Sequence, residues 1–527
     1  MTDSKNGIKR KTESKAAQTA APPAKKYKPY LALAGLALLV SLTMQRTWDV
    51  ERFFGALLVS GLLVFTLYRD IVRYQPPWLR KRRMLLLLGI MVVGTLWLGW
   101  LAEQTLLGLS KGFDIEAAGA ISYGIPLAAG AMLVALLFDF HTALAFSLVV
   151  SLLGGLWQQD AGFAVYVFLG SLTAAFSMIR CKKRTAILWG GIYVLAANLL
   201  ALVTLLLFHG ELFTATAPLG AAMAVACSVA VVATVSLALP ILESVFKVTT
   251  DISLLELLDL DQPLMKSLMI SAPGTYHHSI IVGNLVEACA EDVGVNPLLA
   301  RVGAYYHDIG KVKMPEYFIE NQPMGVSKHE KLTPHMSSMI LTSHVKEGVE
   351  LAAVHKLPEE VIDIIKQHHG NALITYFYEK AKGQPSSTEL SEQEYKYPGP
   401  KPQTRIAALI MMADAVEAAS RVLNDPTPSR ISALVDKIIN HIFLEGQLDE
   451  CELTLKDIHV IKSRFTRILT GILHKRVDYP GFEFNREGGD GEGKHKQPPK
   501  EDKARQKAAR DGQPEGPQPA WTTKDRT

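Results

Sequence analysis

GAYYHDIGKVKMP, residues 303–315, ends an apolar run on an imidazole and a carboxylate side by side, His307 and Asp308, and stops it with Gly310 before Lys311. Adjacent helical residues point about 100° apart, so at a helix terminus such a pair can reach two metals, or one metal and its bridge. Outward from that pair, twelve of the fifteen histidines fall between Glu243 and Phe484, several at helix ends or doubled: His277-His278, His307-Asp308, His344, and His368-His369 before Gly370. Any one of these fits an ordinary core or surface histidine. Together they supply what a site for two metal ions needs: several neutral imidazoles from different helices and a carboxylate able to bridge.

The surrounding sequence reads as helix. Residues 279–292, 297–308, 334–354, 359–369, 404–423, 429–444 and 454–474 carry apolar residues three and four apart, and few alternating β-branched runs compete with them. Asn296-Pro297, Thr333-Pro334 and Pro358-Glu359-Glu360 each give a cap or first-turn proline before an apolar run. The spacing predicts an all-helical unit of about 240 residues, large enough for a core of its own.

The first half has a different texture. Eight apolar segments, 30–44, 53–68, 84–102, 117–138, 142–157, 162–179, 185–208 and 219–242, contain no Asp, Glu, Lys or Arg and are predicted to cross a bilayer. The absence of an ionisable group inside them argues against a charge-driven pump. Residues 1–28 hold eight Lys/Arg against two acids. Two more basic loops lie around Arg69, Arg73, Arg80, Lys81, Arg82 and Arg83, and around Arg180, Lys182, Lys183 and Arg184. Eight crossings put all three on the cytoplasmic side, with Asp114, Asp160 and Glu211 opposite, and return the chain to the cytoplasm after the last span. The first segment, about fifteen apolar residues, is short for a full crossing.

Cys181, Cys227, Cys289 and Cys451 share no CxxC or finger-like spacing, so neither a disulfide framework nor a zinc knuckle is indicated. No Walker or Rossmann glycine pattern implies a nucleoside triphosphate. The expected architecture is all-α, a polytopic transmembrane helix bundle followed by an all-helical cytoplasmic domain. Its parts are a basic cytoplasmic tail (1–29), the bundle (30–242), a coupling segment with the amphipathic run DISLLELLDLDQPLMKSLM (243–270), the histidine-rich domain (271–484) and a disordered tail (485–527).

His307 to Lys311 match the HDIG signature of the HD phosphohydrolase superfamily. With TTDISLLELLDLDQPLMKSLMISAPGTYHHS, NPLLARVGAYYHDIGK, TSHVKEGVELA, QHHG followed by YFY, and YPGPKPQTRIAALIMMADAVEAASR, residues from about 50 to 480 resemble the seven-transmembrane HD family. Its PgpH-type members are membrane phosphodiesterases for cyclic di-AMP. The resemblance implies an HD-superfamily domain holding two divalent transition-metal ions, iron or manganese. The matching ligands are His278, His307, Asp308, His344, His368, His369 and Asp414, with Asp308 as the bridge and Lys311 facing a substrate phosphate. Such ions lower the pKa of water towards neutrality and offset charge on a phosphodiester.

The implied reaction opens one linkage of cyclic di-AMP to linear pApA, at the bacterial plasma membrane. The implied partners are the dinucleotide and the lipid bilayer and no nucleic-acid polymer, and a homo-oligomer is left open. Two alternatives stand beside it. One is an HD hydrolase of another nucleotide such as cyclic di-GMP, against which no GYP motif follows the signature; the other is a non-catalytic nucleotide-binding signalling protein, in which a ligand should be missing and none is.

Departures from the family are visible. Only QRTWDVER stands where members carry a large extracytoplasmic domain, and VSKHEKLTPHMSS and Ile406 are atypical. His277, His329, His335, His355, His441, His459 and His474 receive no role, although the polar loop of His329 and His335 is placed within reach of a ligand.

Overall fold

The computed structural model describes residues 24–45, 49–74, 82–113, 119–179, 181, 183–214, 216–322, 327–383 and 390–473. Most of the basic amino-terminal tail, Arg80, Lys81, Asp114, Arg180, Lys182, His474 and the expected tail at 485–527 lie outside them. Every regular element among the described residues is helical.

The apolar segments become α1 (Ala24–Thr43), α2 (Val50–Tyr74), α3 (Arg82–Gly112), α4 (Ala128–Leu137), α5 (Phe140–Gln158), α6 (Ala161–Ser177), α7 (Thr185–His209) and α8 (Thr216–Phe246). Of these, α2, α3, α5, α7 and α8 are long and apolar enough to cross a membrane, while Tyr30–Thr43, Ile121–Leu137 and Ala161–Ser177 are shorter apolar stretches. Leu58, Trp189, Leu200 and Phe208 are exposed on this half. Water would disfavour such surface at roughly 25 cal/mol per Å², whereas lipid would not.

The fourth segment is not the continuous helix its composition predicts. A 3-10 turn, Ile121–Gly124, is separated from α4 at Pro126, which has no amide hydrogen to continue the ladder. A neighbouring helix covers the carbonyl this frees, the Tyr166 hydroxyl donating to Tyr123 O at 2.8 Å, and Cys227 Sγ adds a contact to Ile125 O at 3.5 Å. Such pairing is what makes a helix break tolerable away from water. Pro240, by contrast, is carried inside α8. The uncharged span 84–102 belongs to a longer helix that continues through Glu103, which is buried and accepts from Gln158 Nε2 at 3.0 Å. None of the four cysteines is bridged.

The second half comprises α9 (Asp251–Leu257), α10 (Pro263–Ser271), α11 (Pro273–Ala290), α12 (Pro297–Tyr306), α13 (Pro334–Val354), α14 (Glu359–Gln367), α15 (Thr375–Lys382), α16 (Arg405–Ser420), α17 (Pro428–Leu444) and α18 (Leu455–Leu473). Asn296 caps α12 by accepting from the Leu298 and Leu299 amides, and Thr333 and Thr404 cap α13 and α16 in the same manner. The eight residues of α15 are too few to show a periodicity, and no helix is predicted there.

One core packs α11, α16, α17 and α18 around Val286, Ile410, Val435 and Phe465. A second gathers Leu254, Met265, Tyr306, Ile309, Val361 and Ile365. The short α9 forms the seam between the halves: Ile252 is buried in the apolar core of the bundle, while Leu254, two residues on, belongs to that second core.

Candidate metal centre

Five helix features bring the predicted residues together. The first is the end of α12 at Tyr306, two residues short of the predicted end. Asp308 leaves the helical region, with φ −109° and ψ 15°, and the chain tightens into a 3-10 turn, Ile309–Lys313. His307 and Asp308 therefore diverge. The second is the end of α14, where Gly370 takes a φ of +53°, a conformation glycine adopts without a Cβ penalty, just after His368 and His369. The other three are helix interiors. His278 and His344 are buried along α11 and α13, and α16 presents Asp414.

All seven predicted side chains converge, in two groups: His278, His307 and Asp414, and Asp308, His344, His368 and His369. Within each group the ligand atoms lie within 4.8 Å of one another. Asp308 joins the groups. Its Oδ1 is 3.3 Å from His344 Nε2 and 3.6 Å from His368 Nε2, while its Oδ2 is 3.3 Å from His307 Nε2 and 3.8 Å from His278 Nε2. Asp414 Oδ1 is 3.0 Å from His278 Nε2, and its Oδ2 is 3.6 Å from His369 Nδ1.

The backbone dictates which ring nitrogens face inward as lone pairs. Nδ1 of His307, His344 and His368 contacts the carbonyl oxygen three residues earlier, of Ala304, Leu341 and Ile365. A carbonyl can only accept, so each Nδ1 carries a proton, and in the neutral tautomer this selects, Nε2 is the acceptor. His344 Nε2 and His368 Nε2 then face each other across 3.3 Å with Asp308 Oδ1 beside them. Burial holds the His344 pKa down to about 4, so its charged form does not relieve the contact. His307 Nε2 and Asp308 Oδ1 are buried with no hydrogen-bond partner. So many nitrogen and carboxylate acceptors converging in one buried place fit divalent cations, and imidazole with carboxylate suits transition metals.

The remaining electrostatics reflect the carboxylates gathered in the cluster. Burial opposes ionisation of Asp308, but the Lys311 ammonium beside it outweighs this and holds its carboxyl well below the usual range. Burial likewise presses the His278 imidazole down, and the Asp414 and Glu417 carboxylates overcome it, lifting its pKa to about 10. Lys311 Nζ lies 2.6 Å from Asp308 Oδ2 and 2.9 Å from Glu320 Oε1.

Three residues of this centre were not singled out from the sequence. Glu417 binds His278 Nδ1 and is itself held by Arg421 at 2.7 Å. Its signal was available, because it stands three residues after Asp414 on one face of a helix. Glu320 accepts from the Thr275 hydroxyl at 2.9 Å as well as from Lys311. Tyr397 stacks on His369 with ring centroids 4.1 Å apart and planes 28° apart, fixing that ring's orientation. Both come from irregular segments whose course no periodicity reveals. His329 and His335 fall elsewhere: His329 is occupied by Tyr317 O at 2.7 Å and packs on Phe377, and His335 faces Glu394 at 3.5 Å.

Glu417 orients a candidate ligand through its far nitrogen, an arrangement whose loss typically lowers metal affinity about 10–100-fold. Glu417→Gln should therefore weaken Mn²⁺ binding by about that factor in calorimetric titration. Unchanged affinity would mean that packing alone sets the His278 ring.

Comparison with known proteins follows the same division of the chain. Residues 51–250 match the family described as 7TM receptor with intracellular HD hydrolase, and residues 275–419 match the HD domain. Similar proteins include the cyclic-di-AMP phosphodiesterase PgpH of Bacillus subtilis, 36% identical over 438 residues, or 81% of this chain and 60% of that protein. The cyclic-di-AMP phosphodiesterase PgpH of Listeria monocytogenes is 38% identical over 373 residues, 68% of this chain and 50% of that one. The chain thus spans half to three fifths of the length of these relatives. A crystal structure of the L. monocytogenes phosphodiesterase PgpH HD domain in complex with Cyclic-di-AMP is 46% identical, covers 41% of this chain and 100% of that one, and superposes with a TM-score of 0.39.

Proposed function

The chain belongs to the family of seven-transmembrane receptors with an intracellular HD hydrolase, a multi-pass membrane protein, and from that premise we propose that it is a dimetal phosphodiesterase that opens cyclic di-AMP to linear pApA. The reading is carried by Asp308, a single buried carboxylate whose two oxygens face two separate sets of imidazole nitrogens. His278, His307, Asp308 and Asp414 would hold one ion, and Asp308, His344, His368 and His369 the other, as Mn²⁺ or Fe²⁺. Bound there, such ions supply an acidified water and offset charge on the phosphodiester. The names of the relatives support the base preference. The basic loops support a catalytic domain on the cytoplasmic side of a bacterial plasma membrane.

The protein's own groups prepare the rest. Proton placement on the Nδ1 atoms keeps three Nε2 lone pairs aimed inward without a proton to displace. Burial disfavours charge on Lys311, but Asp308 and Glu320 outweigh it and keep the ammonium protonated. As a compact cation at the edge of the cluster it is placed to take up a phosphate oxygen of the substrate. No purine-reading contact has to be assumed for hydrolysis itself, because the linkage attacked is common to all cyclic dinucleotides.

The test is a substrate panel. Full-length protein in detergent, supplied with Mn²⁺ and offered cyclic di-AMP, cyclic di-GMP and the mixed dinucleotide, should convert cyclic di-AMP to pApA fastest. Faster turnover of cyclic di-GMP would overturn the substrate, and no turnover of any member would overturn the enzyme.

A further inference from the structure

Helix α14 has two functional ends. Its carboxyl end delivers His368 and His369 to one group of candidate ligands, and its first turn holds Glu359 and Glu360. Those acids point at the membrane half. Glu359 pairs with Arg83, at the start of α3, at 3.2 Å, and with Lys247, which directly follows α8. Glu360 accepts from the Thr249 hydroxyl at 2.8 Å. Nine residues of helix are a rod about 13 Å long, so the anchor and the ligands are tied to one short rigid element.

The rod does not end in soft packing. A Cβ on Gly303 of α12 would lie 2.6 Å from Ile364 Cδ1, and one on Gly348 of α13 would lie 2.9 Å from Ile365 Cγ2. Side chains of α14 therefore rest almost on the backbones of the two helices that bring His307 and His344, and a shift of α14 reaches the cluster without being absorbed. Between the halves lies a cleft of about 1330 Å³ bordered by Arg83, Lys247, Thr249, Asn296 and Glu360. Across so open a seam, discrete polar contacts join the halves beside the buried Ile252 of α9. The companion helix α12 repeats the pattern: its cap Asn296 donates to Asp251 at 3.0 Å, on the α9 helix that Arg184 grips through Glu256 at 2.6 Å.

We propose that Glu359 and Glu360 are positioning residues through which the membrane bundle sets the geometry of the His344, His368 and His369 half of the metal centre. This rests on the reading of that cluster as a two-ion site. The effect falls mainly on that half, because α14 itself carries His368 and His369 and meets the other half only through α12, and it is modest, because each exposed pair contributes little by itself.

The experiment uses full-length protein in liposomes, titrated with Mn²⁺ by calorimetry and by the spin-coupled Mn²⁺ resonance signal. Arg83→Glu with Lys247→Glu leaves α14 untouched but repels Glu359. It should weaken the ion held by His344, His368 and His369 roughly 3- to 10-fold and the other ion less, and adding Glu359→Lys should restore most of the loss. Lys382→Glu, which breaks a pair confined to α15, should change neither ion. Wild-type affinity for both ions in the double reversal, or a loss that Glu359→Lys fails to rescue, would overturn the proposal while leaving the site intact. A wild-type protein that binds no Mn²⁺ would remove the site reading and this proposal together.

Discussion

Asp308→Ala should abolish hydrolysis of cyclic di-AMP to the limit of about a thousandfold loss, and should bring bound metal from two ions per chain to one or none. The reason is that one side chain serves both groups: its oxygens lie 3.3 Å from His344 Nε2 on one side and 3.3 Å from His307 Nε2 on the other. Two-ion centres supply several kcal/mol of transition-state stabilisation, and about 4 kcal/mol corresponds to roughly a thousandfold in rate. The fold should survive, because Lys311 keeps Glu320 as a partner at 2.9 Å. Asp308→Asn, which preserves shape and removes the charge, should lose activity nearly as far. Metal analysis and initial rates measured together decide the matter. Activity within tenfold of wild type with both ions retained would show that Asp308 is not shared.

The second large effect concerns a residue with no side chain. Gly310→Ala should destabilise the domain by about 3 kcal/mol or more, near the upper end for overpacking, and lower its melting temperature by roughly 6–12 °C. A Cβ at Gly310 would stand 1.9 Å from His344 O, 2.6 Å from the Gly348 amide nitrogen and 2.8 Å from His344 C. These are backbone atoms of α13, which cannot rotate aside as a flexible side chain would. To admit one methyl group, α13 must retreat and take His344 with it. Thermal unfolding followed by circular dichroism, with Mn²⁺ titration on the same sample, checks both consequences. A melting point within 2 °C of wild type and unchanged metal affinity would mean that the approach of α13 to the signature turn is looser than the structure has it. The glycine of the signature is explained by this contact, since its own φ is not in the left-handed region.

What could be read in advance was local. Apolar residues three and four apart give α13 its bounds at Pro334–Val354, and Thr333 supplies the cap that starts it. The interruption at Pro126 could be suspected but not settled, because a proline inside a helix is equally compatible with continuation, as at Pro240. For the centre, residue type and signature spacing picked out seven candidates, and those seven side chains meet. Glu320 and Tyr397 escaped because their positions depend on the course of the chain through segments without a repeat.

Sequence alone determined the all-helical architecture, the eight apolar segments and the list of imidazoles and carboxylates, because helical periodicity, hydropathy and ligand chemistry are properties of neighbouring residues. Only the tertiary structure decided which candidates share an ion, that Asp308 stands between the two sets, and that α14 ties one set to Arg83 and Lys247. Those relations join residues up to 276 positions apart, and they follow from the angles and distances at which helices pack, which no local spacing encodes.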